Sequence, residues 1–393
     1  MKLRLILSYV FLCAISAACS TGEPELRTGA ERMEIYLPLL EGRQIALVAN
    51  HSSLVGGSHL VDTLLASGLE REQIVKVFAP EHGFRGDQAA GVQIEDGTDP
   101  LTGIAVASLY GPHKKPEPEE LDGIDLMLFD LQDVGCRFYT YISTLHYVME
   151  ACAENNIPLI VLDRPNPNGG YVDGPVLDTA YRSFVGMHPI PVVYGLTIGE
   201  LAGMINGEGW LNQGIQCDVT VIPCENYLHG QAYSMPVSPS PNLANDHAVL
   251  MYPSTCFFEG TVVSEGRGTA MPFEVYGHPD LPGEFSFTPV SIPGVARNPK
   301  FEGQLCHGAD LREFTPEGGW NGIQLQFLLD AYRDFPRKEE FFRSYFELLA
   351  GTGELRRQIE AGWEEERIRA SWQEELNEFT LKRSTYLIYD EIR

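Results

Sequence analysis

Leu126-Met127-Leu128-Phe129-Asp130-Leu131-Gln132-Asp133-Val134-Gly135 is the stretch that decides the fold. It begins within a run rich in Leu and Ile, 124–131, and ends in a carboxylate, an amide, a second carboxylate and a glycine. A helical pattern follows at 141–155, with Leu145, Val148, Met149 and Cys152 on one face. A second apolar run, 158–162, comes next. Strand, helix and strand in that order form a βαβ unit. Near-continuous apolar runs are what strands buried on both faces of a parallel sheet show. Working outward, 44–48, 74–79 and 104–109 are further runs of the same kind, each bounded by Gly, Pro, Asn or Asp. A helix at 59–67 and a Thr197-Ile198-Gly199-Glu200 capping box fit between them or follow them. The alternation predicts an α/β fold, a Rossmann-like open and mostly parallel sheet with flanking helices.

From about residue 250 the pattern changes. Residues 253–299 are rich in Gly, Pro and aromatics, and helical patterns return at 323–334, 339–350 and 368–379. The expected organisation is a catalytic domain over 31–250 and a smaller C-terminal α+β domain over 251–393 that completes a cleft. A chain of 393 residues is filled by two such domains.

The first eighteen residues read as an export signal. Lys2 and Arg4 precede an apolar run, 5–18, that is too short to span a bilayer. Ser16-Ala17-Ala18-Cys19 resembles a bacterial lipobox, with Ser16 where leucine is usual, and an ordinary secretory signal is the alternative. The lipobox reading makes Cys19 the lipidated first residue and 19–30 a polar tether. The protein is then exported, as a periplasmic or outer-membrane lipoprotein. Of eight cysteines, six remain beyond Cys19, without metal spacing. Cys217 and Cys224 are placed to bridge, or all six are buried thiols.

Lys and Arg number 28 against 54 Asp and Glu, a formal charge of -26. A surface that negative repels nucleic acid, so no nucleic-acid partner is expected. Hydrophobic residues at 44% and charged residues at 21% exclude a disordered chain.

In open α/β sheets ligands bind beyond the carboxyl ends of the strands. The residues found there are Asn50-His51, Glu81-His82, Asp130, Gln132 and Asp133, and Asp163-Arg164. Turn formation and helix capping explain single members equally well; the convergence points to a site. No G-x-G-x-x-G turn, Walker loop or G-x-S-x-G elbow is present, so no nucleotide and no cofactor is expected. A carboxylate-rich cleft suits glycoside hydrolysis, which needs an acid and a second carboxylate. Glu81, after an apolar strand and Pro80, suits an acid kept protonated by an apolar or anionic setting. His82 is placed to orient it or touch substrate. Arg137 is an anion-binding candidate, and Tyr139 beside it a sugar-stacking ring. A second cluster, Glu259 to Thr269, offers Glu259 and the planar fork of Arg267.

These segments resemble the exo-β-N-acetylmuramidase (NamZ-like) family. The resemblance rests on Phe78-Ala79-Pro80-Glu81-His82-Gly83-Phe84-Arg85-Gly86, Ser108-Leu109-Tyr110-Gly111, residues 130–141, Leu162-Asp163-Arg164-Pro165-Asn166-Pro167, Ser183-Phe184-Val185-Gly186, Thr197 to Ala202 and Phe258 to Thr269. It covers nearly the whole chain after the signal. It implies removal of N-acetylmuramic acid from the non-reducing ends of peptidoglycan fragments, by a Rossmann-like domain and a smaller C-terminal one. It places the catalytic glutamate at Glu81. For the partner carboxylate Asp133 is favoured, with Asp130 and Glu259 behind it. Arg137 and Arg267 suit the lactyl carboxylate of muramic acid. Asn50, Asp130, Gln132, Tyr139, Asp163, Arg164 and Glu259 complete the expected substrate contacts. Two rivals stand beside this reading. One is a metal-dependent hydrolase using Asn50, His51, His82, Asp130 and Asp163; the other is a non-catalytic lipoprotein that binds muropeptides.

Overall fold

The computed structural model describes residues 25–81, 83–85 and 96–392. The segment read as an export signal, Cys19 and His82 lie outside them.

The chain enters through α1 (Met33–Leu40) and β1 (Ile45–Ala49), then a tight hairpin of β2 (Leu54–Val55) and β3 (Ser58–His59). There follow α2 (Leu60–Ala66), β4 (Ile74–Ala79), β5 (Gly97–Thr98), β6 (Ala105–Ser108) and β7 (Leu126–Asp130). After α3 (Tyr141–Asn155) come β8 (Leu159–Leu162), α4 (Ile198–Gly207), β9 (Val219–Ile222) and α5 (Asp246–Thr255). The main sheet has the order β5-β6-β4-β1-β7-β8-β9. All neighbours are parallel except the edge pair β5 and β6. The expected doubly wound sheet is therefore present, with β9 and the short β5 added to the five strands read from sequence.

Its apolar runs are explained by two cores, one on each face. Ile45, Leu47 and Ala49 of β1 face α1 and α2, with Tyr36, Leu40, Leu60 and Leu64. Ala46 and Val48 face the other way, onto α3 and α4. Burial on both faces leaves no polar position in β1. α3 ends at Asn156, whose φ of 54° is the left-handed turn that stops a helix. The capping box of α4 forms in both halves, with the Thr197 N–H at 2.8 Å from Glu200 Oε2.

The core against α3 does not stop at residue 250. It continues through Phe257, Phe273, Phe335, Phe341 and Phe346 into the C-terminal half. α5 itself runs across that position. The C-terminal half holds an antiparallel sheet of β10 (Val275–His278), β11 (Phe285–Phe287) and β12 (Cys306–Asp310), with β12 central. Its helices are α6 (Gln326–Asp334), α7 (Lys338–Phe341), α8 (Phe346–Ala350), α9 (Glu354–Glu360), α10 (Glu365–Ser371) and α11 (Gln373–Arg383). The helix expected over 339–350 is thus broken in two. The cause is a pairing partner: Phe341 O accepts from Val262 N and Arg343 N donates to Gly260 O, both at 2.9 Å. Phe342 is drawn into extended backbone between them.

The end of the expected tether is also corrected. Arg27 pairs with Glu225 through backbone bonds of 3.0 and 2.8 Å, and Gly29 N donates to Asp163 O at 2.7 Å. A Cβ on Gly29 would sit 2.2 Å from Ile222 O, so this residue is packed against the sheet end. The six described cysteines are buried free thiols, and Cys217 and Cys224 form no bridge. Among the described residues no helix is long and apolar enough to cross a membrane.

Candidate active site

The strand ends deliver polar residues to one edge, but most of them are closed into protein. After β1, Asn50 gives its Nδ2 to Tyr141 Oη at 2.6 Å and accepts from Ser52 N and Oγ at 2.9 and 2.6 Å. His51 Nε2 sits 2.8 Å from Ser238 O. After β7, Asp130 takes a two-pronged bond from Arg164, Nε to Oδ1 at 2.6 Å and Nη2 to Oδ2 at 2.9 Å, fully out of solvent. After β8, Asp163 accepts from Gly199 N at 2.8 Å, Thr197 Oγ1 at 2.7 Å and Tyr389 Oη at 2.6 Å. Burial pushes its pKa up to about 6. Gln132 spends its Nε2 on the carbonyls of Asp133 and Pro165. Asn50, Asp130, Gln132, Asp163 and Arg164 therefore brace the loops at the sheet edge rather than face a ligand. Buried polar groups are usually paired, and here the loops supply partners for all but Gln132 Oε1. Of the metal-binding rival's ligands, Asp130 and Asp163 are taken up by Arg164, Thr197 and Tyr389, and His82 lies outside the described residues, among which no group of three or more metal-holding side chains gathers.

Arg137 is the clearest correction. Its guanidinium is fully buried and donates to four backbone carbonyls: Pro175 (2.8 Å), Ile190 (2.7 Å), Leu349 (2.9 Å) and Ala350 (2.7 Å). Two of these lie in each half of the chain. It is a staple between the halves; its Nε finds no partner, but the whole side chain is out of solvent and outside the cavity lining.

What stays open lies past β4. A cavity of about 60 Å³ is lined by Glu81, Tyr139, Thr140, Tyr141, Tyr252 and Arg267, among others. Thr140 Oγ1 approaches Glu81 Oε2 at 3.4 Å, and the Tyr110 hydroxyl hydrogen-bonds Glu81. Tyr139 lines the cavity with its hydroxyl fixed on Pro239 O at 2.7 Å. Arg267 is anchored on Glu259 Oε1, from Nη2 at 2.6 Å and from Nε at 3.1 Å, and stacks over Phe273. Its Nη1 donates to no described residue. Larger cavities exist, one of about 560 Å³ between Asp178 and Trp372, but no strand end opens into it.

Asp133, expected as the second carboxylate, stands apart from the cavity lining. Asp133 is buried, with Oδ2 accepting from Gly135 N at 2.7 Å and from Tyr194 Oη, and it is not part of the cavity lining. Burial pushes its pKa up to about 7. Glu259, by contrast, shares Arg267 with the cavity. Both Glu81 and Glu259 bear electrostatically on Tyr110 and on Tyr345. Neither Glu259 nor Asp133 lines the cavity: Glu259 stands beside Arg267, while Asp133, with Glu81, bears electrostatically on Tyr139 and Tyr141.

Two family models account for nearly all of the described chain: "Exo-beta-N-acetylmuramidase NamZ, N-terminal" over residues 45–247 and "Exo-beta-N-acetylmuramidase NamZ, C-terminal" over 250–389. The chain belongs to the NamZ family.

A NamZ-family relative of known name, the "Peptidoglycan beta-N-acetylmuramidase NamZ" of Bacillus subtilis (strain 168), is 38% identical over 93% of this chain and 92% of its own. Two crystal structures share the fold, both DUF1343 family proteins from Bacteroides fragilis NCTC 9343. One has a TM-score of 0.87 at 46% identity, covering 94% of this chain and 100% of its own. The other has a TM-score of 0.78 at 29% identity, covering 93% and 100%. In this NamZ-family chain two residues near the cavity escaped the reading of strand ends. Tyr110 follows β6, inside a stretch that carried the family resemblance. Tyr345 comes from the short turn before α8, where nothing local distinguishes it from a core aromatic.

Proposed function

We propose that the protein is an exo-acting glycoside hydrolase that releases N-acetylmuramic acid from the non-reducing ends of peptidoglycan fragments. The observation that carries the mechanism is one cavity, past a strand end of the parallel sheet, lined by both Glu81 and Arg267. Arg267 takes the lactyl carboxylate of the sugar, since a guanidinium matches a carboxylate in shape and charge. Glu81 gives its proton to the glycosidic oxygen as the bond to the anomeric carbon breaks, so the aglycone leaves as an alcohol. Glu259, held beside Arg267, is the second carboxylate and stabilises the positive charge developing on the sugar ring. Water supplies the hydroxyl that the anomeric carbon finally carries.

The test is release of free N-acetylmuramic acid from a disaccharide with that sugar at its non-reducing end. Glu81→Gln lowers turnover on the order of 10²–10⁴-fold. Absence of release by pure protein, or undiminished release by the variant, defeats the proposal. A protein that only binds muropeptides gives saturable binding without product.

The basic start, short apolar run and small residues before Cys19 support export with lipid attachment. Labelled fatty acid is then incorporated into the wild type and not into Cys19→Ala; equal labelling of both refutes the anchor.

A further inference from the structure

Lys300 lies in none of the motifs that carry the family resemblance and not in the cavity lining, yet all of its protons are used next to it. Its Nζ donates to Phe258 O at 2.7 Å, Val263 O at 2.9 Å and Glu265 Oε2 at 3.0 Å. Glu265 is 3% exposed, and its other oxygen lies 3.4 Å from Arg267 Nε. Burial alone would raise the Glu265 carboxyl; Lys300 and Arg267 reverse that and hold it below the ordinary value. The backbone here is closely packed: Gly266 has φ +82°, and a Cβ on it would meet Met271 O at 2.7 Å.

The charges can be counted. Arg267 faces two carboxylates, Glu259 and Glu265. One guanidinium between two carboxylates leaves a net charge of about -1, which repels an anionic ligand. Lys300 brings the four-residue cluster to zero, and the third guanidinium nitrogen keeps its attraction for an anion.

We infer that Lys300 is a positioning residue that sets the site's affinity for an acidic sugar, acting through Glu265 on Arg267. The inference rests on the reading that Arg267 takes the lactyl carboxylate. That reading and this one are separated by using two substrates: the muramic-acid-terminated disaccharide, and the same compound with its lactyl carboxylate converted to a carboxamide.

Lys300→Met raises KM for the acidic disaccharide about ten-fold, the scale of one unit charge two side chains away at an effective dielectric near 20. It leaves kcat nearly unchanged and leaves both constants for the carboxamide unchanged. Lys300→Arg restores KM. The double variant Lys300→Met with Glu265→Gln returns the cluster to zero charge and recovers most of the lost affinity, which also guards against a folding defect in the single variant. Equal effects on both substrates, no effect, or no recovery in the double variant overturns the role of Lys300. If Arg267→Gln distinguishes the substrates and Lys300→Met does not, only the Lys300 inference falls. If Arg267→Gln fails to distinguish them, the reading of Arg267 falls and this inference with it.

Discussion

Replacing Arg137 with methionine separates a structural arginine from a substrate-binding one. The side chain makes four hydrogen bonds to carbonyls, at 2.7 to 2.9 Å, and meets no carboxylate. After the change, Ile190 O still accepts from Leu177 N at 3.1 Å. The carbonyls of Pro175, Leu349 and Ala350 lose the donor that Arg137 supplied. A stranded buried acceptor costs about 1–3 kcal/mol, so the loss is roughly 3–9 kcal/mol. Against that, the cost of burying the charge disappears; burial of the guanidinium is severe enough to pull its pKa down to about 9. Methionine also refills much of the volume. The net expectation is a destabilisation of about 3–5 kcal/mol, the range for breaking a buried charged network. Unfolding entropy of about 2.1 cal/mol/K per residue gives roughly 0.8 kcal/mol/K for a chain this long, so Tm falls by about 4–6 °C. Calorimetry measures the shift, and KM for the disaccharide is measured well below the new Tm. Unchanged Tm with a raised KM for the acidic sugar would refute the argument and return Arg137 to the substrate.

Asp130→Ala leaves the buried Arg164 charge without its carboxylate and costs about 3–5 kcal/mol in urea unfolding; a loss under about 1 kcal/mol counts against the pairing. Asp133, raised to about 7 in the folded protein, binds more protons folded than unfolded between its two pKa values. Its contribution to stability is therefore greatest when protonated and falls as pH rises from about 4 to 7. The Tm of Asp133→Asn minus that of wild type should rise through that window and level off above it, and a difference independent of pH refutes the buried-acid assignment. Because the proposed mechanism runs on carboxylates and water alone, a chelator should leave turnover unchanged; loss of activity restored by added divalent ion would favour the metal-dependent rival.

Strands that are covered on both sides announce themselves, because most of their positions must be apolar, Lys76 being the exception in 74–79. That is why residues 74–79 were legible to the residue, and why α3 could be bounded from its periodicity. The C-terminal helices were harder. Periodicity runs through Phe342, and only the extended segment at 260–262, far away in sequence, breaks the helix there. The partition near residue 250 marks a change of composition, while the buried core runs across it.

The amino-acid sequence by itself determined the doubly wound sheet and the edge where chemistry gathers, because both follow from local patterning and chain order. It placed Glu81 and Asp130 alike, each a carboxylate at the end of an apolar strand. Only the tertiary structure separated them: Arg164 closes on Asp130, while Glu81 reaches a cavity. The arginines divide in the same way. Arg137 meets carbonyls from both halves, Arg164 meets one carboxylate, and Arg267 stands between carboxylates with a nitrogen facing no described partner. A charged group's role depends on which groups remove it from water and which pair with it. For these residues the partners come from segments as much as 213 positions away, as Ala350 is from Arg137, and only folding brings them together.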